Sequence, residues 1–111
     1  MKGARSVKKR RDFREICANG RVGRSGALVV YAKSREGGTG PSRVGLSVAW
    51  RGSSAVERNR IKRRLRAAAK EQLPQAGWDV VVRGSRGASD KSFQELSSEL
   101  AAALRTVGVL R

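Results

Sequence analysis

Apolar residues in this chain follow two rhythms, one of period two and one of three to four. Val44, Leu46 and Val48 alternate with Gly45 and Ser47, which places one face of a strand against a core. Leu28 to Ala32 and Trp78 to Arg83 are short strand-type runs. Turn formers fill residues 34–41 between the first two runs, so these are expected to form an antiparallel hairpin with a long loop. Phe13, Ile16 and Cys17 recur at helical spacing within residues 9–18, and Gly20 follows where a left-handed cap would sit. Ser54 with Glu57, and Ser92 with Glu95, each have the spacing of a capping box, in which side chain and backbone amide satisfy one another reciprocally. The first box opens a helix that Pro74 and Gly77 stop near Leu73. The second opens a helix carrying Phe93, Leu96, Leu100, Leu104 and Val107 on one stripe. The expected order is α-β-β-α-β-α, an α/β (α+β) two-layer sandwich with helices against an antiparallel or mixed sheet. Residues 1–111 suit a single domain, with 1–8 a loose basic arm whose apolar anchor is Val7.

Composition narrows the choice of partner. Formal net charge is +16, from 25 Lys and Arg against 9 Asp and Glu, which makes a polyanion the natural ligand. Hydrophobic residues make up 39% and aromatic residues 5%, so the core must be thin. The longest apolar run, Ala27 to Ala32, is far short of the ~20 residues that span a bilayer, and neither basic segment has the bulky apolar face of a membrane-seeking helix. A cytoplasmic protein with no membrane partner is expected. One Cys and no His leave neither an internal disulfide nor a zinc site. The scattered acids form no obvious constellation for moving protons, so RNA cleavage by protein side chains is not expected.

Residues 58–66 hold six basic groups and no acid. On a helical wheel with Arg58 at zero, Ile61, Leu65 and Ala68 fall at roughly 280–340° and Ala69 at about 20°, a narrow seam able to pack on a sheet. Arg58, Lys62, Arg66 and Arg63 sweep from about 0 to 140°, while Arg60 and Arg64 lie near 200–240°. Like charges four residues apart cost a helix a few tenths of a kcal/mol per pair, which phosphates gripped by Arg would offset.

Several blocks then align in order along the chain. They are Arg11-Asp12-Phe13 with Gly20, Leu28-Val29-Val30-Tyr31, Arg43 to Val48, and Ala55-Val56-Glu57-Arg58-Asn59-Arg60-Ile61-Lys62-Arg63 with Arg66. Together they resemble the protein subunit of bacterial ribonuclease P, across essentially the whole chain. A ribosomal protein would share the charge and size but not these blocks. A DNA-binding domain would need Asn or Gln presented to base edges, whereas Asn59 is flanked by phosphate-type residues.

The resemblance implies a sandwich whose basic helix makes a left-handed crossover between parallel strands, against the general right-handed preference. It implies a ribonucleoprotein endoribonuclease that removes the 5′ leader from precursor tRNA, with catalysis and Mg²⁺ residing mainly on the catalytic RNA. Arg58, Asn59, Arg60 and Arg64 would bind the RNA subunit. Phe13, Tyr31, Lys62, Arg63 and Arg66 would line a cleft for the single-stranded leader. Phe13 could equally be a core residue, since it shares a stripe with Ile16 and Cys17. Tyr31, on the strand face opposite Leu28 and Val30, suits a cleft better than the core. Two departures stand out: Cys17 occupies a position where the family often has an aromatic residue, and Ala49-Trp50-Arg51-Gly52 replaces a Lys-rich turn.

Overall fold

Both capping boxes form. Ser54 Oγ accepts the Glu57 N–H at 3.1 Å while Glu57 Oε1 accepts the Ser54 N–H at 3.1 Å, and Ser92 pairs with Glu95 in the same way. In the structure, a computed structural model that describes residues 5–35 and 40–110, these boxes open α2 (Ala55–Gln72) and α3 (Phe93–Thr106). The other elements are β1 (Arg5–Ser6), α1 (Arg10–Asn19), β2 (Arg21–Ser25), β3 (Leu28–Ser34), β4 (Arg43–Val48) and β5 (Trp78–Gly84). A short 3₁₀ turn covers Arg86–Ala88.

The α+β sandwich is present, with one mixed sheet in the order β1-β4-β5-β3-β2. On one face, α2 and α3 close the main core over Leu28, Val30, Val80 and Val82; the α2 seam Ile61, Leu65, Ala68 and Ala69 and the α3 stripe Leu96, Leu100, Leu104 and Val107 are buried there. Gln72 Nε2 staples the two helices by donating to the Ser97 carbonyl at 2.9 Å. On the other face α1 covers a second, smaller cluster of Val7, Ile16 and Val81, with Phe13, Cys17 and Tyr31 packed against it. That helix adds a layer to the two expected.

Strand pairing differs from the expected hairpin. β3 and β4 are not neighbours, because β5 lies between them, antiparallel to β3 and parallel to β4. The parallel βαβ unit is β4–α2–β5. The true hairpin partner of β3 is β2, joined through Gly26, whose φ of +57° suits the tight turn. Sequence patterning passed over β2 for a physical reason. Its one buried position is Gly23, where α3 approaches so closely that a Cβ would fall 2.8 Å from the Ala103 carbonyl oxygen. A strand whose core-facing residue is a glycine has no apolar alternation to read.

The basic arm is held from residue 5 onward. Arg5 and Ser6 pair in parallel with Arg43 and Val44, the Val7 amide donates to the Val44 carbonyl at 3.0 Å, and the Val7 side chain is buried. The rest of the expected arm, residues 1–4, lies outside the described residues. Trp50, in the departing turn, packs against the main core.

Gly20 ends α1 in an extended conformation, φ −83° and ψ 165°, not the left-handed one expected. Crowding explains the glycine: a Cβ would sit 2.5 Å from the Ile16 carbonyl oxygen and 2.9 Å from that of Ala32. At an open site of this conformation Gly→Ala stabilises by about 0.4–1 kcal/mol through chain entropy, whereas forced overpacking costs about 1–3 kcal/mol. Both obstructing atoms are backbone, so the clash wins. Gly20→Ala should lower unfolding free energy by about 1–2 kcal/mol in urea titrations; an unchanged or raised midpoint would contradict this packing.

Candidate nucleic-acid interface

Three connected depressions follow α1, the edge of β4 and the exposed face of α2. β1 is only two residues long, so beyond Val44 the edge of β4 has no neighbouring strand among the described residues. In the gap a groove of about 130 Å³ is lined by Ser6, Val7, Phe13, Val44, Gly45, Leu46, Lys62 and Arg66. Phe13 lies directly on the strand backbone here, since a Cβ at Gly45 would fall 2.6 Å from its ring. Phe13 and Arg14 also bound a recess of about 330 Å³ with Cys17, Ala18 and Arg83. Along α2, a third depression of about 450 Å³ is lined by Val56, Asn59, Arg60, Lys62, Arg63 and Arg66. Phe13 belongs to the first two, and Lys62 and Arg66 to the first and third.

The fold therefore gathers Phe13, Lys62 and Arg66 into one groove and sets Arg63 beside it. Phe13 is half-buried against the second cluster and also forms a wall of two of the depressions. Tyr31 lines none of these depressions; it packs against the second cluster, with the Arg83 guanidinium over its ring at 5.5 Å.

The basic residues of α2 divide by what lies within their reach. Arg58, in line with the buried seam at the first turn, and Arg64, outside its other edge, turn back onto the protein. Arg58 Nη1 donates to the Ser53 carbonyl at 2.8 Å and to Ser53 Oγ at 2.9 Å, and Arg64 Nη1 donates to the Lys91 carbonyl at 2.7 Å. Asn59, Arg60, Lys62, Arg63 and Arg66 occupy the remaining broad face together, so the two flanks expected from the wheel merge into one surface. Arg60 Nε is buried there without a hydrogen-bond partner among the described residues. Val56 adds apolar area to this surface at 74% exposure.

Acidic side chains are spent elsewhere. Asp79 binds Arg35 and Arg43, Arg43 also reaches Asp12, Glu15 binds Lys33 and Glu99 binds Lys91. Glu99 also accepts the Ala27 N–H at the β2–β3 turn. Among the described residues none of Arg14, Lys62, Arg63, Arg66 and Arg83 has a carboxylate within ion-pair distance. All five line the depressions, so the grooved surface carries the unpaired positive charge that a phosphate-binding track requires.

Sequence reasoning missed Arg14, Val56 and Arg83. Alternation in β5 already puts Arg83 on the side of Val81, opposite Val80 and Val82, but the register that brings it to Tyr31 is a tertiary fact.

The family model for ribonuclease P matches residues 1–108. The chain belongs to the ribonuclease P protein family. The ribonuclease P protein component of Gluconacetobacter diazotrophicus is 36% identical over 96% of this chain and 93% of its own length. That of Streptococcus thermophilus is 39% identical over 95% and 94%. Among solved structures, the ribonuclease P protein of Staphylococcus aureus superposes with a TM-score of 0.83 at 28% identity, covering 97% of this chain and 99% of that one. The ribonuclease P protein of Thermotoga maritima gives 0.75 at 25% identity, covering 96% and 97%. As a protein component of ribonuclease P, a ribonucleoprotein endoribonuclease of tRNA processing, the chain has an RNA partner. No helix among the described residues is long and apolar enough to cross a membrane.

Proposed function

We propose that the whole chain works in the cytoplasm as one RNA-binding domain that holds the single-stranded 5′ leader of precursor tRNA against the catalytic RNA of ribonuclease P. The observation that carries this reading is the groove joining the Phe13 ring to Lys62 and Arg66. An aromatic surface beside unpaired cations suits an unpaired strand of any sequence, because every base has a face to stack and every nucleotide a phosphate to bind. A duplex would offer phosphates but no free base face.

Asn59 and Arg60, which line the α2 depression but not the Phe13 groove, take the contact with the RNA subunit. Arg58 and Arg64 support that contact by fixing Ser53 and Lys91 at either side of the helix. Lys62, Arg63 and Arg66 neutralise leader phosphates and so reduce the repulsion between two polyanions. Mg²⁺ and the hydrolytic chemistry belong mainly to the RNA. Among the described residues no group of three or more Cys, Asp or Glu side chains is placed to hold a metal ion, and the protein's own contribution is binding and orientation.

Reconstitution tests this. Added to a bacterial ribonuclease P RNA at low Mg²⁺, the chain should raise cleavage of precursor tRNA and should bind precursor more tightly than mature tRNA. Failure to distinguish the two ligands would overturn the leader assignment. Arg60→Ala should weaken binding to the RNA subunit by about tenfold, the loss of one charge-assisted contact, while leaving affinity for an isolated leader oligonucleotide within about twofold. Equal losses for both ligands would remove the division of labour along α2.

A further inference from the structure

On the α1 face of the sheet, the β3–β5 register sets Val81 beside Tyr31 and Arg83 beside Val29. Arg83 is thus the diagonal neighbour of Tyr31, within reach of its ring. The guanidinium carbon lies over that ring, 5.5 Å from the centroid, in a cation–π contact. Tyr31 is half-buried against the second cluster on one side and covered by Arg83 on the other. An incoming base meets the guanidinium before it meets the phenol. Arg83 itself is exposed, and no hydrogen bond or ion pair holds its guanidinium among the described residues.

Arg83 also closes one side of the recess formed with Phe13, Arg14, Cys17 and Ala18. Its volume, about 330 Å³, falls in the range of small-ligand sites, about 300–1,000 Å³. The walls combine an aromatic ring, two short side chains and two cations, so flat apolar faces and a flanking phosphate are both accommodated. Cys17 matters by being small, since a bulkier residue there would occupy the space that Arg83 overlooks.

We propose that Arg83, positioned by Tyr31, is the platform on which one unpaired base of the RNA stacks, with the base lodged in the recess between α1 and β5. This rests on the leader-binding reading and adds to it the element that contacts the base. A guanidinium is planar, delocalised and weakly hydrated, so one of its faces can lie on an aromatic ring while the other receives a base. An ammonium group keeps the charge but offers no plane.

The experiment compares wild type, Arg83→Lys and Tyr31→Phe for binding to precursor tRNA, leaderless tRNA and a set of precursors carrying a single abasic nucleotide at successive leader positions. Circular dichroism melts confirm that each variant is folded, which the exposure of Arg83 makes straightforward. In wild type one abasic position should cost about tenfold in affinity, the worth of one stacked base. Arg83→Lys should bind the intact precursor about tenfold more weakly and show no further loss at that abasic position. Tyr31→Phe keeps the ring under Arg83 and should behave as wild type. If Arg83→Lys binds like wild type, or keeps the full abasic penalty, the platform assignment falls while the leader reading stands. If wild type binds precursor and leaderless tRNA equally, the leader reading itself falls.

Discussion

Asp79→Ala should destabilise the protein by about 2–3 kcal/mol, enough to unfold much of a thin-cored domain at moderate temperature. Asp79 is buried on β5, where Oδ1 accepts from Arg35 Nη1 at 3.0 Å and Arg43 Nε at 2.9 Å, and Oδ2 accepts from Arg43 Nη2 at 2.9 Å. Arg43 Nη1 continues to Asp12 on α1 at 3.4 Å, so one carboxylate ties together β4, β5 and the helix above them. Removing one partner of a fully buried pair costs about 3–5 kcal/mol. Here the two guanidinium groups keep 27% and 28% of their side-chain surface in water, which places the cost below that range. The acid limb of stability should respond too. Burial alone would raise the Asp79 pKa, but hydrogen bonds and charge from Arg43 and Arg35 outweigh it and hold the carboxyl below its usual 3.8. A carboxylate depressed in the folded state contributes stability that is complete above its unfolded value, near 4, and is lost as pH falls through the folded one. Asp79→Asn should therefore flatten the decline in stability below pH 4 relative to wild type. Urea midpoints measured from pH 2 to 7 would show it, and an identical acid slope in both proteins would mean that Asp79 is not held low.

Lys62→Ala with Arg66→Ala should reduce affinity for leader-bearing precursor by on the order of a hundredfold, with little effect on stability. Each side chain brings a charge-assisted contact worth about 1.5–3 kcal/mol, and among the described residues neither has an intramolecular ion pair to lose. Both line the groove beside Phe13. The salt dependence is the sharper observable. If the two contact phosphates of a single strand, the slope of log affinity against log salt should become shallower by about 1.4, from 0.7 per contact. Similar losses for precursor and mature tRNA would place both residues on general RNA attraction rather than on the leader.

What was readable beforehand was whatever one segment decides for itself. The seam Ile61, Leu65, Ala68 and Ala69 is buried as the wheel required, and both Ser–Glu boxes close, because spacing alone fixes these features. The Leu28–Val30 face and the opposing Tyr31 were likewise set by alternation. Pairing was not local. Leu28–Ser34 and Arg43–Val48 look like consecutive hairpin strands until Trp78–Gly84 inserts between them, and no property of the first two segments announces a third. Arg58 and Arg64 carry the same charge as Arg60 and Lys62, yet they turn inward because Ser53 and the Lys91 carbonyl happen to lie within their reach. Arg83 was passed over because its significance lies in its contact with Tyr31, a residue 52 positions earlier.

The place of β5 in the sheet also sets the order in which the chain can acquire a binding surface. Until residues 78–84 arrive, β3 has only its β2 hairpin and β4 only the two-residue β1, and a two-stranded pair is marginal in water. The strand that unites them is made after all of the others, and closing it demands contacts of long sequence separation, the slow kind. Tyr31 has no Arg83 above it, and Arg43 no Asp79 beside it, before that moment. A nascent chain that has reached residue 77 thus carries the whole basic helix while lacking the scaffold that orders it, and RNA would meet a basic polymer first and a shaped cleft only once β5 is in place.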